Sequence, residues 1–268
     1  MAKDILEEIV AYKRIEVEMQ KSKIPPSQLY NKVEKMLKKD TYQHYSIKDA
    51  LVHSASGIIA EFKRKSPSKD WIKEDGKPEI IPESYFNNGA SAISILTDEK
   101  YFGGNMDFIR IARQKVACPI LRKDFIIDEY QLFQAYEIGA DAVLLIAADL
   151  NKEECSQLAT TAHELGLETL LEIHSEPELD YINDNIDMVG VNNRNLGSFT
   201  TNIENSYHLA SQLPDNYVLV SESGISNPNT VRELREVGYR GFLIGETFMK
   251  TDNPGETLAQ FIRDVIKQ

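Results

Sequence analysis

Two cysteines in 268 residues are too few for a disulfide framework, and Cys118 and Cys155 stand at no metal-ligand spacing. A reducing, cytoplasmic compartment suits such a chain. The five histidines form neither HExxH nor HxH, which argues against a metal centre. No long hydrophobic run occurs: the longest, AVLLIAA at 142–148, is far short of a bilayer span. The opening MAKDILEEIV is acidic and amphipathic, unlike a signal peptide. Positive charge is in deficit, with 30 Lys and Arg against 42 Asp and Glu and a net charge of −12. Such a surface repels nucleic acid and anionic membrane, so any cluster of cations should serve a small anionic ligand.

What the chain has is a repeating pattern. Short apolar runs recur as GIIAEF from 57, SAISIL from 91, ACPILR from 117, DAVLLIA from 141, ETLLEI from 168, DMVGV from 187, YVLVSE from 217 and GFLIG from 241. Their mean spacing, roughly 26 residues, is close to one βα unit. Continuous Val, Ile and Leu are expected of parallel strands buried on both faces. Helical patterns fill the gaps: 128–140 opens at Asp128 and stops at Gly139, 151–167 opens at Asn151 and stops at Gly166, and 227–239 has Pro228 early and Gly238 late. The alternation predicts an α/β fold, a (β/α)8 TIM barrel, over 51–268. An open doubly wound sheet is the rival, but the glycine-rich turn it uses after its first strand is missing. Residues 1–50 predict helices divided at Pro25 and Pro26, an N-terminal extension packed on the barrel. The basic run KVEKMLKK within it reads as a solvated helix face. No exposed apolar patch is visible in the sequence, and a monomer is expected.

Barrels of this kind carry their sites at the C-terminal ends of the strands. The first run ends in GIIAEFKRKSPSKD, a buried strand that delivers Glu61, Lys63, Arg64 and Lys65. Period-two alternation sends Ile58, Ala60 and Phe62 toward the helices and Ile59, Glu61 and Lys63 inward. The other strand ends carry Lys123, Glu172, Asn192 with Arg194, Glu222 and Gly245. Charges are rarely buried unless paired, so so many converging on one mouth point to acid–base chemistry. Gly224 and Gly245, in the last two loops, suit close approach of backbone N–H groups to a phosphate. His174 reads as a rim histidine with a water partner, and Asp98 as a brace for its loop. Phe102 and Phe125 could be packing or the walls of an aromatic pocket.

The segments EFKRKSPSK, LTDEKYFGG, PILRKDFIIDEYQ, ADAVLLIAA, LLEIH, GVNNRNL, VSESGI and FLIGETFM together resemble the indole-3-glycerol phosphate synthase family, over essentially the whole chain. The resemblance implies a phosphorylated small-molecule substrate, 1-(2-carboxyphenylamino)-1-deoxyribulose 5-phosphate, which undergoes ring closure, decarboxylation and dehydration without cofactor or metal. It implies Lys123 as general acid, Glu172 as general base or second proton relay, and Lys63 as the cation holding the substrate's anionic groups. Glu61 and Glu222 would be supporting acids, and Asn192 and Arg194 polar contacts. Ser66 would touch substrate, Ser223, Gly224, Gly245 and Glu246 would cradle phosphate, and Phe102, Phe125 and Leu144 would line the ring pocket. The Ser-Pro-Ser loop would fold over the substrate.

Three positions depart from the family pattern. Asp70 stands where glycine is usual, which puts the loop conformation in question. Asn195 replaces a common aspartate, which leaves the partner of Arg194 open. Glu246 stands where some members have serine, and since its carboxylate would repel a phosphate, only its backbone N–H should contribute. The rival readings are a sister isomerase barrel, phosphoribosylanthranilate isomerase, a Schiff-base aldolase using Lys63 or Lys123, and a non-catalytic phosphate-ligand barrel. The isomerase uses a cysteine where Glu61 and Lys63 stand.

Overall fold

A computed structural model describes residues 5–39, 43–195 and 200–267. Eight parallel strands close into a barrel: β1 (Ile58–Phe62), β2 (Ala92–Leu96), β3 (Ile120–Lys123), β4 (Ala142–Ile146), β5 (Glu168–Ile173), β6 (Met188–Asn192), β7 (Val218–Glu222) and β8 (Gly241–Ile244). Each strand pairs with its neighbours in sequence, and β8 closes on β1 with Ile59 opposite Leu243. The expected TIM barrel is the observed fold.

The alternation within strands sorts the core into two layers. Ile58, Ala60 and Phe62 pack outward with the helices, together with Ile93, Ile95, Val143, Leu145, Val189 and Val191. Ile59 packs inward with Leu121, Leu144, Leu170, Met188, Val220 and Leu243. A side chain one residue past an inward apolar one lies among helices, and two past it lies in the barrel mouth. Glu61 and Lys63 reach the site for this reason.

Three helices precede the barrel: α1 (Ile5–Lys23), α2 (Pro26–Lys39) and α3 (Ile47–Val52). Pro26 opens α2, where its fixed φ and missing N–H are harmless. The short α3 was not legible in the sequence. It plugs the N-terminal end of the barrel, with Ile47 and Leu51 in the interior layer. Glu168, the first residue of β5, holds its N-terminus by accepting from the backbone N–H of Ile47 at 2.7 Å and of Lys48 at 3.1 Å. At the opposite end, Ile9 of α1 joins the interior layer beside Phe125, Leu144 and Ile146.

Around the barrel run α4 (Ile81–Asn87), α5 (Asp107–Arg113), α6 (Glu129–Ile138), α7 (Lys152–Glu164), α8 (Glu204–Ala210), α9 (Pro228–Glu236), α10 (Glu246–Met249) and α11 (Pro254–Ile266). The expected caps operate. Asp128 and Gln131 form a reciprocal capping box on α6, Asn151 and Glu154 another on α7, and Gly139 ends α6 at φ 91°. α2 packs on α6, where Tyr30 stacks on Phe133 with ring centroids 3.9 Å apart. Among the described residues no helix is long and apolar enough to cross a membrane.

Candidate active site

Every residue singled out from the sequence for the site lines one cavity of about 620 Å³ at the C-terminal ends of the strands. Lys123, at the end of β3, is its centre. The Lys123 ammonium lies 2.7 Å from Glu172 Oε2 and 2.9 Å from Glu222 Oε2, and both carboxylates are almost wholly buried. Lys63 Nζ lies 2.5 Å from Glu61 Oε1 on the same strand end.

Two glycines make room for these acids. A Cβ at Gly245 would fall 2.2 Å from Glu61 Oε1, and one at Gly190 would fall 2.3 Å from Glu222 Oε1. The glycine requirement is therefore set by side chains on neighbouring strands, not by backbone conformation.

The central charges perturb one another. Burial works against the charge of Lys123, but Glu172, Glu222 and Glu61 outweigh it and raise the pKa above its ordinary value. Burial also disfavours ionised Glu172, yet the Lys123 ammonium, with His174 and Asn192, holds this carboxyl below the usual range. Glu222 goes the other way. Burial comes first, and the negative charge of Glu172 outlasts the pull of Lys123, so the carboxyl is pushed up to about 7. One lysine thus sits between a carboxyl held ionised and a carboxyl that keeps its proton to higher pH than usual. Glu222 Oε1 and Ser66 Oγ are buried without a hydrogen-bond partner among the described residues.

The cavity is polarised along its length. At one end Ser223 and Gly224 adopt successive positive φ angles, 67° and 76°, next to Gly245 and the start of α10. A Cβ at Gly224 would meet Thr201 Cγ2 at 2.5 Å, so this turn also needs glycine for space. The Glu246 carboxylate turns toward Lys69, 3.8 Å away. At the other end the rings of Phe102 and Phe125 lie 5.9 Å apart at 41°, with Leu144 beside them. Ile5, Leu6 and Ile9 of α1 complete this apolar end.

The loop after β1 leans over the cavity. Residues Lys65–Ser66 and Asp70–Trp71 pair as a small antiparallel hairpin. Its tip contributes Ser68, whose hydroxyl accepts from Arg194 Nη1 at 3.3 Å, and Lys69. Only part of the charge that ends β1 is aimed at the site. Lys63 enters the mouth, whereas Arg64 and Lys65 lie over the Trp71 ring, 5.3 and 5.4 Å from its centroid. Asp70 keeps the left-handed conformation of a glycine, at φ 55°. Arg194 finds the hydroxyls of Ser68 and Thr201, while the Asn195 backbone N–H donates to Thr200 O at 2.8 Å.

Asp98 braces its loop as expected, accepting from the N–H groups of Tyr101 at 2.8 Å and Phe102 at 3.3 Å. His174 differs from the expected rim histidine with a water partner. It is wedged between carboxylates, Nε2 3.4 Å from Glu172 Oε1 and Nδ1 3.7 Å from Glu178 Oε2. Burial lowers its pKa, but Glu178 and Glu172 overcome this and raise it. The three α1 residues in the cavity wall were missed in the sequence, since an amphipathic helix does not announce which surface it covers. Among the described residues no group of three or more His, Cys, Asp or Glu side chains is placed to hold a metal ion.

Comparison with known proteins bears on this cavity. The family model described as indole-3-glycerol phosphate synthase matches residues 6–262. A Bacteroides thetaiotaomicron protein named indole-3-glycerol phosphate synthase is 61% identical, covering 98% of this chain and 99% of its own. A Magnetococcus marinus protein of the same name is 40% identical, covering 98% and 100%. Among solved structures, the tryptophan synthase α subunit of Legionella pneumophila superimposes with a TM-score of 0.60 at 14% identity, covering 82% of this chain and 96% of its own, a likeness of fold alone.

Proposed function

Because this chain belongs to the indole-3-glycerol phosphate synthase family, we infer that its cavity converts 1-(2-carboxyphenylamino)-1-deoxyribulose 5-phosphate to indole-3-glycerol phosphate. The polarised cavity supports this assignment. The substrate has an aromatic acid at one end and a phosphate at the other. Phe102, Phe125 and Leu144 suit the ring, and the Ser223–Gly224 turn with Gly245 and Glu246 suits the phosphate. Only the backbone of Glu246 would serve the phosphate, since its carboxylate would repel it.

In the first step the ring carbon bearing the carboxylate attacks the ribulose carbonyl. Lys123 gives the developing alkoxide a proton, and carbon dioxide leaves as the benzene ring regains aromaticity. Lys63, held by Glu61, keeps the anionic groups of the substrate in place, with Ser66 and Arg194 as further contacts. In the second step the new hydroxyl takes a proton from the recharged Lys123 ammonium and departs as water, while Glu172 removes a ring proton. Against burial, the Lys123 ammonium, helped by His174 and Asn192, holds the Glu172 carboxyl below its usual range for that task. Glu222, whose carboxyl burial and the charge of Glu172 push above the usual range, lies 2.9 Å from the Lys123 ammonium and can restore what the lysine donates.

The observation that carries this reading is the bracketing of the Lys123 ammonium by two buried carboxyls, Glu172 at 2.7 Å and Glu222 at 2.9 Å, inside the cavity. The chain would act as a monomer in the cytoplasm, where its buried free cysteines, Cys118 and Cys155, stay reduced. Mixing the protein with the carboxyphenylamino substrate and following indole fluorescence tests the assignment. Lys123→Ala should lower turnover by about 10²–10⁴-fold, the usual worth of a positioned acid. Folded wild-type protein without signal would overturn the reading.

A further inference from the structure

Beside the cavity, sharing Asp124 with its wall, lies a second, buried cluster of charge that the reaction does not use. Lys13, in the middle of α1, is only 1% exposed. Its ammonium lies 2.9 Å from each of three carboxylates: Asp98 Oδ2, Asp124 Oδ1 and Glu16 Oε2. Asp98 and Asp124 are 0% and 2% exposed. Three strong contacts on a buried lysine from a solvent-facing type of helix are not a by-product of packing, because a buried ion is costly unless paired.

The two aspartates have matching second duties. Asp98 Oδ1 accepts from the backbone N–H of Phe102, and Asp124 Oδ1 accepts from that of Phe125 at 2.9 Å. These are the two aromatic residues that face each other across the apolar end of the cavity. One ammonium therefore ties together the two carboxylates on which the two ring-bearing segments hang. Asp124 is fixed from its other side by Thr97 Oγ1 at 2.5 Å and Arg122 Nη2 at 3.1 Å. Thr97, next to Asp98, also ties the start of this loop to β3, its backbone N–H donating to Lys123 O at 3.1 Å and its Oγ1 accepting from Arg122 Nε at 3.2 Å; Lys13 adds the link between the Asp98 and Asp124 carboxylates themselves.

We propose that Lys13 is a positioning residue that sets the spacing of the Phe102–Phe125 slot, and thereby affinity for the aryl end of the substrate. It touches no reacting atom. The inference rests on the assignment of that slot to the substrate's ring. Loss of the ammonium leaves two buried aspartates repelling across the gap, the loop after β2 shifts, and the slot opens. Binding energy falls while the Lys123 centre, on the other side of β3, stays assembled.

Steady-state kinetics with the carboxyphenylamino substrate on wild type, Lys13→Met, Lys13→Arg and Phe102→Ala tests this. Lys13→Met should raise KM about tenfold with kcat within about threefold, the signature of lost uniform binding. Lys13→Arg, which keeps a cation there, should recover most of the KM. A merely structural role would lower the active fraction, and so kcat, at unchanged KM. Unchanged KM in Lys13→Met beside a raised KM in Phe102→Ala overturns the role of Lys13 alone. Unchanged KM in Phe102→Ala overturns the ring assignment and the proposal with it. If Lys13→Met does not fold, Asp98→Asn carries the test. It is isosteric, keeps an oxygen for the Phe102 N–H, and cancels the charge that Lys13 binds. A raised KM there supports the proposal, and an unchanged KM overturns it.

Discussion

Gly190 and Glu222 occupy adjacent strands so closely that a Cβ on the glycine would stand 2.3 Å from the glutamate's Oε1. Gly190 has an ordinary backbone conformation, so space alone makes it a glycine. Glu222 is buried and held by Lys123, so it can make room only by turning into the cavity and away from that contact.

Gly190→Ala should therefore act on the chemistry from the neighbouring strand. Displacing Glu222 disturbs its contact with Lys123, and a shift on the order of 1 Å can cost about 10²-fold in rate. The expected result is a fall in kcat of about 10- to 100-fold in a protein that still folds, checked by turnover alongside a thermal melt. An unchanged kcat would show that Glu222 need not stay where the structure has it.

The opposed shifts of Glu172 and Glu222 set a pH dependence. Glu222 ionises near 7 in the fold instead of 4.5, so the fold favours its protonated form. Its contribution to stability is complete below 4.5 and is lost as the pH rises through about 7. Glu172, lowered to about 2, contributes stability above 4.5 that is lost as the pH falls toward about 2. If Glu222 resupplies protons, kcat/KM should decline above about pH 7. In Glu222→Gln the rate should be lower throughout and that alkaline limb should vanish. The variant separates Glu222 from ionisation of the substrate. A limb that survives the substitution belongs to another group.

Asp70 tests the hairpin over the cavity. Its φ of 55° is one that aspartate tolerates and β-branched residues do not. Asp70→Gly should keep kcat/KM within about twofold, because the conformation is retained. Asp70→Val should strain the hairpin by about 1–3 kcal/mol and raise KM, since Ser66 and Ser68 lie on the same turn. Equal kinetics for the two variants would mean that the hairpin does not shape the site.

Much of this was legible in the chain because the signals are local. A parallel strand buried on both faces needs a continuous apolar run, and period-two alternation then says which end-of-strand residue turns inward. Ile59, Glu61 and Lys63 follow from that rule alone. So do the capping residues Asp128 and Asn151, whose partners lie three residues on. The short α3 and the Lys65–Trp71 hairpin were not legible. Each is too brief to show a period, and each is stabilised by contacts with distant segments, α3 by Glu168 and the hairpin by the Phe102 carbonyl, which accepts from the Lys65 N–H at 3.2 Å.

The sequence by itself determined the barrel, the direction in which it opens and which residue types meet at its mouth, for these depend on neighbours along the chain. Only the tertiary structure decided how those residues act. Lys123 meets carboxylates 49 and 99 residues away. Which of the two keeps its proton depends on burial and on charge distances that no spacing encodes. The same holds for Lys13, an ordinary polar residue of an amphipathic helix until the fold closes over it. Desolvation then turns an exposed cation into one that must bind Asp98 and Asp124.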